Sequence, residues 1–124
     1  MASRTANPLE HPKLADVSFA EAMEALRDPH RLGMIAALAR HSDLPCNAIM
    51  PPVSKPAATR HFKILRAAGL LRQWDTGTRR LNALRRDEFD ARFPGLLDLA
   101  IAEGERLVDV TKIGDEAARE HVVA

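Results

Sequence analysis

Between Ser54 and Arg86 the chain is punctuated so tightly that few folds remain open to it. Pro51 and Pro52 stop whatever precedes them, because proline has no N–H to give a helix. Ser54 can then cap a new helix, Pro56 suits its first turn, and the helical pattern runs to Gly69, which reads as the glycine just past a C-terminus. Two short apolar-containing runs follow, Leu70 to Trp74 and Arg79 to Leu84. They are joined by Asp75-Thr76-Gly77-Thr78, which has the Asp and Gly that a hairpin turn needs. The same segment carries nine Lys/Arg and one Asp, a net charge of plus eight in a protein whose total is plus one. The rest of the chain holds nine basic and sixteen acidic side chains. Positive charge concentrated in this way predicts a local surface for a polyanion rather than a generally adhesive protein.

Composition narrows the polyanion. Aromatic residues make up 4% of the chain and there is no Tyr, so the stacking platforms used on single strands and RNA are poorly supplied, and duplex DNA fits better. At 124 residues the chain predicts one domain with a real core. The single cysteine, Cys46, excludes an intramolecular disulfide, the start MASRTANPLEHPKL lacks the apolar core of a secretory signal, and no apolar run reaches membrane-spanning length. The expectation is a cytoplasmic protein, associated with the nucleoid when bound to DNA, with no membrane partner.

Pro8 and Pro12 without an apolar period predict a flexible arm over residues 1–15, followed by one domain over 16–110 and a polar tail over 111–124. Ser18 and Glu21 make a capping box for a helix with Phe19, Ala22, Met23 and Leu26 at apolar spacing, ending near Arg27. Asp28 caps a second helix with Pro29 at its first position and Leu32, Ile35, Ala36 and Ala39 as its buried stripe, running to about His41. Leu44 to Met50 has room only for a short helix. On the helix after Ser54, Ala58, Phe62 and Leu65 cluster inward while Pro56, Thr59, Arg60, Lys63 and Ala67 lie towards the other side. After Arg86, Asp87 can cap, Pro94 and Gly95 mark a break, and Leu96, Leu97, Ala100, Ile101, Leu107 and Val108 supply a stripe ending near Val110.

Two helices joined by a turn and followed by a basic hairpin describe a mainly α, α+β winged helix-turn-helix with a two-stranded β-wing. A helix fits the major groove, and its first turns and outward side chains read base edges. Here those are Ser54, Lys55, Pro56, Ala57, Thr59, Arg60 and Lys63. Arg60 suits a bidentate contact to guanine, whereas Lys55, Lys63 and the Ser54 hydroxyl suit phosphates. His61, at the edge of the buried face, is read as a packing residue with a phosphate contact in reach. Thr76, Thr78, Arg79 and Arg80 at the wing tip would meet backbone or minor groove.

The strings ALRDPHRLGMIAALA, VSKPAATRHFKILRAAGLL and DTGTRRLNALR closely resemble the ArsR/SmtB family of winged-helix transcriptional regulators. The resemblance covers roughly Ala20 to Leu99, and its most specific part runs from Ser54 to Leu70. It implies a homodimer in which the first and last helices pack across a two-fold axis, two recognition helices in successive major grooves of a near-palindromic operator, and repression lifted by an inducer, which could be a small molecule. The apolar stripe on the last helix independently asks for a partner, because it follows a domain that already has core helices. The dimer residues would be Phe19, Met23, Leu96, Leu97, Ala100, Ile101, Leu107 and Val108.

The chain departs from the metal-sensing patterns of that family. One thiolate, Cys46, cannot supply the ligands a soft metal requires, and Asp98, Glu103, Asp109, Glu120 and His121 do not reproduce a paired His arrangement, so neither metal nor cofactor is expected. His30 and His41 read as capping or surface residues. A redox or metal response through Cys46 is one alternative, although Leu44, Pro45 and Asn47 bring no positive charge to activate its thiol. A winged helix used for protein interaction is another. There is no Gly-rich phosphate loop and no Ser/His/Asp or Cys/His motif, so no enzyme is expected.

Overall fold

Side-chain caps fix where the helices begin. Ser18 Oγ accepts from Glu21 N at 3.0 Å while the Glu21 carboxylate accepts from Ser18 N at 3.4 Å, and this capping box opens α1, Phe19–Leu26. The Asp28 carboxylate accepts from His30 N at 2.8 Å and Arg31 N at 3.2 Å, opening α2, Pro29–Arg40, with Pro29 in its first turn. These details come from a computed structural model that describes residues 9–107. Expectations for Val108 and the tail lie outside the described residues.

Ser54 Oγ accepts from Ala57 N at 3.3 Å to open α3, Lys55–Ala67. Its end is fixed by two bonds of 3.1 Å, Leu70 N to Leu65 O and Gly69 N to Arg66 O, which require a left-handed residue at 69; Gly69 has φ +77°. A Cβ there would also stand 2.8 Å from a Leu14 methyl. The glycine therefore stops the helix and lets the chain before α1 close over it.

Three antiparallel strands, β1 (Leu44–Pro45), β2 (Leu71–Thr76) and β3 (Arg79–Leu84), form a sheet in the order β1-β3-β2. The β2–β3 hairpin, expected as a two-stranded wing, is thus part of a three-stranded sheet. Leu44 and Pro45 do not start the expected short helix; they pair with Asn82 and Leu81, and only Cys46–Ala48 turns, as a 3₁₀ segment. Asn82 Nδ2 donates to Leu44 O at 3.0 Å, a buried contact that local periodicity cannot reveal. Asp75 and Thr76 also belong to strand, opposite Arg80 and Arg79, so the turn is the two-residue Gly77-Thr78 with Gly77 at φ +59°.

Two helices complete the fold: α4, Arg86–Arg92, with Asp87 inside its first turn instead of capping it, and α5, Leu96–Leu107. Together these make five α-helices and one antiparallel sheet among the described residues, an α+β arrangement compatible with a winged helix. None of the described helices is long and apolar enough to cross a membrane.

Helix α2 occupies the centre and touches α1, α3, α5 and β3. Residues Gly33 through Leu38 are all buried, so α2 has no single apolar stripe; Ala39, expected inside, is exposed, and Leu32 is half-buried. Helix α5 lies on α2 through Leu97, Ala100 and Gly104. Leu97 (0% exposed) and Ala100 (5%) therefore belong to the chain's own core, which corrects their assignment to a dimer surface. One face of α5 is consumed by α2, and the rest of the stripe is left over. Leu96 and Ile101 are half-buried, while Phe19, Met23, Leu99 and Leu107 are exposed. Met23, Leu26, Leu32, Leu96 and Leu99 line an apolar groove of about 170 Å³ between α1, α2 and α5.

The segment before α1 is also bound from residue 11 onward, contrary to a flexible arm reaching residue 15. Leu14–Asp16 forms a 3₁₀ turn with Leu14 buried, Arg85 donates to Pro12 O at 2.8 Å, and His11 Nε2 accepts from Gln73 N at 3.0 Å. An edge strand has backbone groups in need of partners, and one imidazole supplies a partner without any apolar period.

The tightest helix contact gives a test. A Cβ at position 104 would stand 2.3 Å from Leu32 O and 3.1 Å from Ala36 Cβ. Gly104→Ala should cost about 1–3 kcal/mol through forced separation of α2 and α5, more than the roughly 1 kcal/mol that alanine contributes to an exposed helix. Chemical denaturation would measure it; a stabilised variant would contradict this packing.

Candidate nucleic-acid interface

The outward face of α3 carries most of the expected contact residues. Ser54, Lys55, Pro56, Thr59, Arg60 and Lys63 are exposed, as are Thr76 and Thr78 at the hairpin tip; Ala57 is half-buried, so it presents less surface than expected. This face is flanked by two open grooves. One, of about 350 Å³, lies between α3 and the sheet and is lined by Lys55, Thr59, Lys63, Arg66, Gln73 and Arg80. The other, of about 620 Å³, lies on the side of the N-terminal strap and is lined by Glu10, His11, Arg60, Lys63 and Arg66. Among the described residues Glu10 is the sole acidic one lining either groove, so the surface has the charge and concavity to hold anions.

The cations on it are not equivalent. Arg80 Nε donates to Asp75 Oδ1 at 2.9 Å and a second guanidinium N–H reaches Oδ2 at 3.4 Å, across the strand pair that sets them opposite. That carboxylate offsets much of the Arg80 charge, and Arg80 is braced within the β2–β3 hairpin. Among the described residues no ion pair engages Lys55, Arg60, Lys63 or Arg79. Free charges of this kind can be surrendered to phosphate oxygens without first breaking a bond within the protein.

Arg66 was not singled out by the sequence reading, yet it lines both grooves. Its guanidinium donates to Gln73 Oε1, and burial, with the neighbouring Arg80, makes its charged form less comfortable than usual. Behind it Gln73 Nε2 donates to Asn82 Oδ1 at 2.8 Å, and Asn82 in turn holds Leu44 O. Gln73 and Asn82 are directly opposed in the sheet and both are buried. This chain of amides ties α3 to all three strands. The sequence does carry a signal for it: a glutamine and an asparagine at the strand positions that share a face with Leu71 and Leu84.

Cys46 sits half-buried at the floor of the sheet-side groove, with Asn82 Nδ2 3.4 Å and Gln73 Nε2 3.8 Å from its sulfur. Among the described residues no three His, Cys, Asp or Glu side chains come together as metal ligands. His61 is half-buried, and its Nδ1 is taken by Arg31 of α2 rather than left open to a phosphate.

The amide network should be testable without touching surface charge. Asn82→Ala leaves Leu44 O and the Gln73 amide without their partner, at a cost of about 1–3 kcal/mol for the stranded buried groups. Faster amide exchange in β1 and β3 is the accompanying signature, and unchanged exchange would show that the network does not hold the sheet. Comparison of the sequence with protein-family models and with curated proteins returns no match, so the reading of this surface rests on its own chemistry.

Proposed function

We propose that this protein is a homodimeric, sequence-specific DNA-binding transcriptional regulator of the winged helix-turn-helix type, acting as a repressor that an inducer releases. The observation that carries the reading is the exposed, cation-bearing face of α3 between two concave grooves, with the hairpin tip alongside. In this reading α3 is the recognition helix and β2–β3 the wing. Arg60 reads a base edge, Lys55, Lys63 and Arg79 hold phosphates, and Arg80, braced by Asp75, shapes the wing. The acidic remainder of the chain supports selectivity, because it repels DNA wherever the grooves do not face it.

The dimer has its support in the apolar surface left by α1 and α5. Phe19 is 59% exposed and Leu99 is 61% exposed, beside the groove that Met23, Leu26, Leu32 and Leu96 line. Two copies related by a two-fold axis would cover this surface and set two recognition helices on half-sites about one helical turn apart.

Selection of duplexes from a random pool, followed by titration, tests the function. The expected result is enrichment of a near-palindromic sequence and an affinity that falls steeply with salt. Binding indifferent to both sequence and salt would remove the proposal, and failure to enrich any duplex would favour a protein-interaction module. Arg60→Ala should lose about 1–3 kcal/mol of discrimination at one base position, whereas Arg79→Ala should weaken every duplex alike and lower the salt slope by about one. Leu99→Asp should shift the protein to monomer in analytical ultracentrifugation while leaving the circular dichroism spectrum folded; a dimer that survives it uses another surface.

A further inference from the structure

The recognition-helix candidate α3 is joined to the centre of the molecule by one polar contact that depends on a proton. Arg31, in α2, is 5% exposed, and its guanidinium is held by three acceptors. Nε donates to Ala25 O at 2.7 Å and one terminal nitrogen to Glu24 O at 3.0 Å, two carbonyls in the last turn of α1. The other terminal nitrogen lies 3.0 Å from Nδ1 of His61, in α3. A guanidinium can only donate, so His61 must accept at Nδ1 and carry its proton on Nε2. The neutral ring is therefore a structural requirement of this contact.

Protonation at Nδ1 would set two cationic donors face to face at hydrogen-bond distance. Arg31 is anchored to α1 from behind, so the half left to give way is the half-buried His61 ring, and with it the polar tie between α2 and α3. The charged neighbours among the described residues lie on three elements. The Asp28 carboxylate, at the junction of α1 and α2, favours the protonated ring. Arg31 and His30 on α2 and Arg60 on α3 itself oppose it, and Glu24 on α1 and Arg27 just past its end act at one remove through Arg31. The His30 ring is a direct neighbour, with centroids 5.8 Å apart. Burial is the largest influence on His61, and the balance holds its proton affinity below that of an ordinary histidine.

We propose that Arg31 is a positioning residue for α3, acting through His61, and that protonation of His61 releases this contact and lowers the protein's affinity for duplex DNA. The affinity part rests on the DNA-binding reading above. The sign follows from linkage. A histidine that stays neutral in the folded state contributes nothing against folding above the ordinary imidazole value, and costs stability increasingly as pH falls below it. If DNA is bound only with the contact closed, the complex rejects the proton more strongly than the free protein does. Acid then weakens binding.

The test uses the full chain. Nitrogen-15 imidazole resonances should show His61 in the Nε2–H tautomer at neutral pH, titrating below the ordinary imidazole value; an Nδ1–H tautomer would overturn the proposal. Affinity for a selected duplex is then measured at about pH 7.5 and about pH 5.5, on either side of the ordinary imidazole value of about 6.5. His61→Gln offers an amide oxygen to Arg31 but cannot titrate, and His61→Ala offers nothing. Between the two pH values wild type should lose about threefold or more affinity relative to His61→Gln, on the way to the roughly tenfold that one pKa unit between free and bound protein gives below both values. At the higher pH His61→Gln should bind more tightly than His61→Ala. Because His11 also accepts a hydrogen bond near arginines and titrates low, the comparison with His61→Gln isolates the His61 share. Equal pH dependence in wild type and His61→Gln would overturn the proposal. So would wild-type binding that strengthens in acid relative to His61→Gln, since that is the signature of a direct phosphate contact. Failure of wild type to bind any duplex at either pH would instead end the DNA reading and the affinity effect with it, while the imidazole resonances would still decide whether Arg31 holds His61.

Discussion

The burial of α2 is the constraint to which every other element answers. Its residues Gly33 to Leu38 are enclosed by α1, α3, α5 and β3, and α5 can approach only because position 104 has no side chain to strike Leu32 O. A helix enclosed in this way must also settle the polar groups it takes inside. Arg31 does so at one end by donating to two carbonyls in the last turn of α1, where a helix leaves its acceptors without helical partners. Helix α2 is therefore a hub for apolar packing and for orientation alike, since the same guanidinium reaches α3.

A second layer of polar contacts governs the basic side of the molecule. Arg66, Gln73, Asn82 and Leu44 O link α3 to the sheet, Arg80 and Asp75 brace the hairpin, and His11 closes its outer edge. Each of these bonds consumes part of the segment's charge or polarity internally. What remains without an acidic partner on the helix face and hairpin tip is a smaller set, the exposed Lys55, Arg60 and Lys63 and the half-buried Arg79, whose relation is fixed from behind. A charge-rich segment without such bracing would attract DNA but could not hold side chains in the register that base reading requires.

Much of the fold was legible because it is encoded over three or four residues. Ser18 with Glu21, Asp28 with Pro29, and Ser54 start helices, and Gly69 and Gly77 stop or reverse the chain, each by satisfying backbone groups within a turn. The strand at Leu44–Pro45 was not legible, because it is too short for a period and exists only through β3. The strap at residues 11–16 was hidden for the same reason. The stripe on α5 was read correctly as apolar but not divided, since nothing local separates Leu97 and Ala100, which meet α2, from Leu99, which meets solvent.

The candidate site divides along the same line. Residue order alone placed a basic helix before a basic hairpin, with Arg60 and Lys63 outward because helical periodicity fixes the side on which a residue emerges, and with Arg79 and Arg80 together beside the turn. The folded chain decided which of the charges stay available. Asp75 engages Arg80, Gln73 engages Arg66, and Arg31 engages His61, pairings set by distances between elements far apart in the chain and therefore by packing rather than by period.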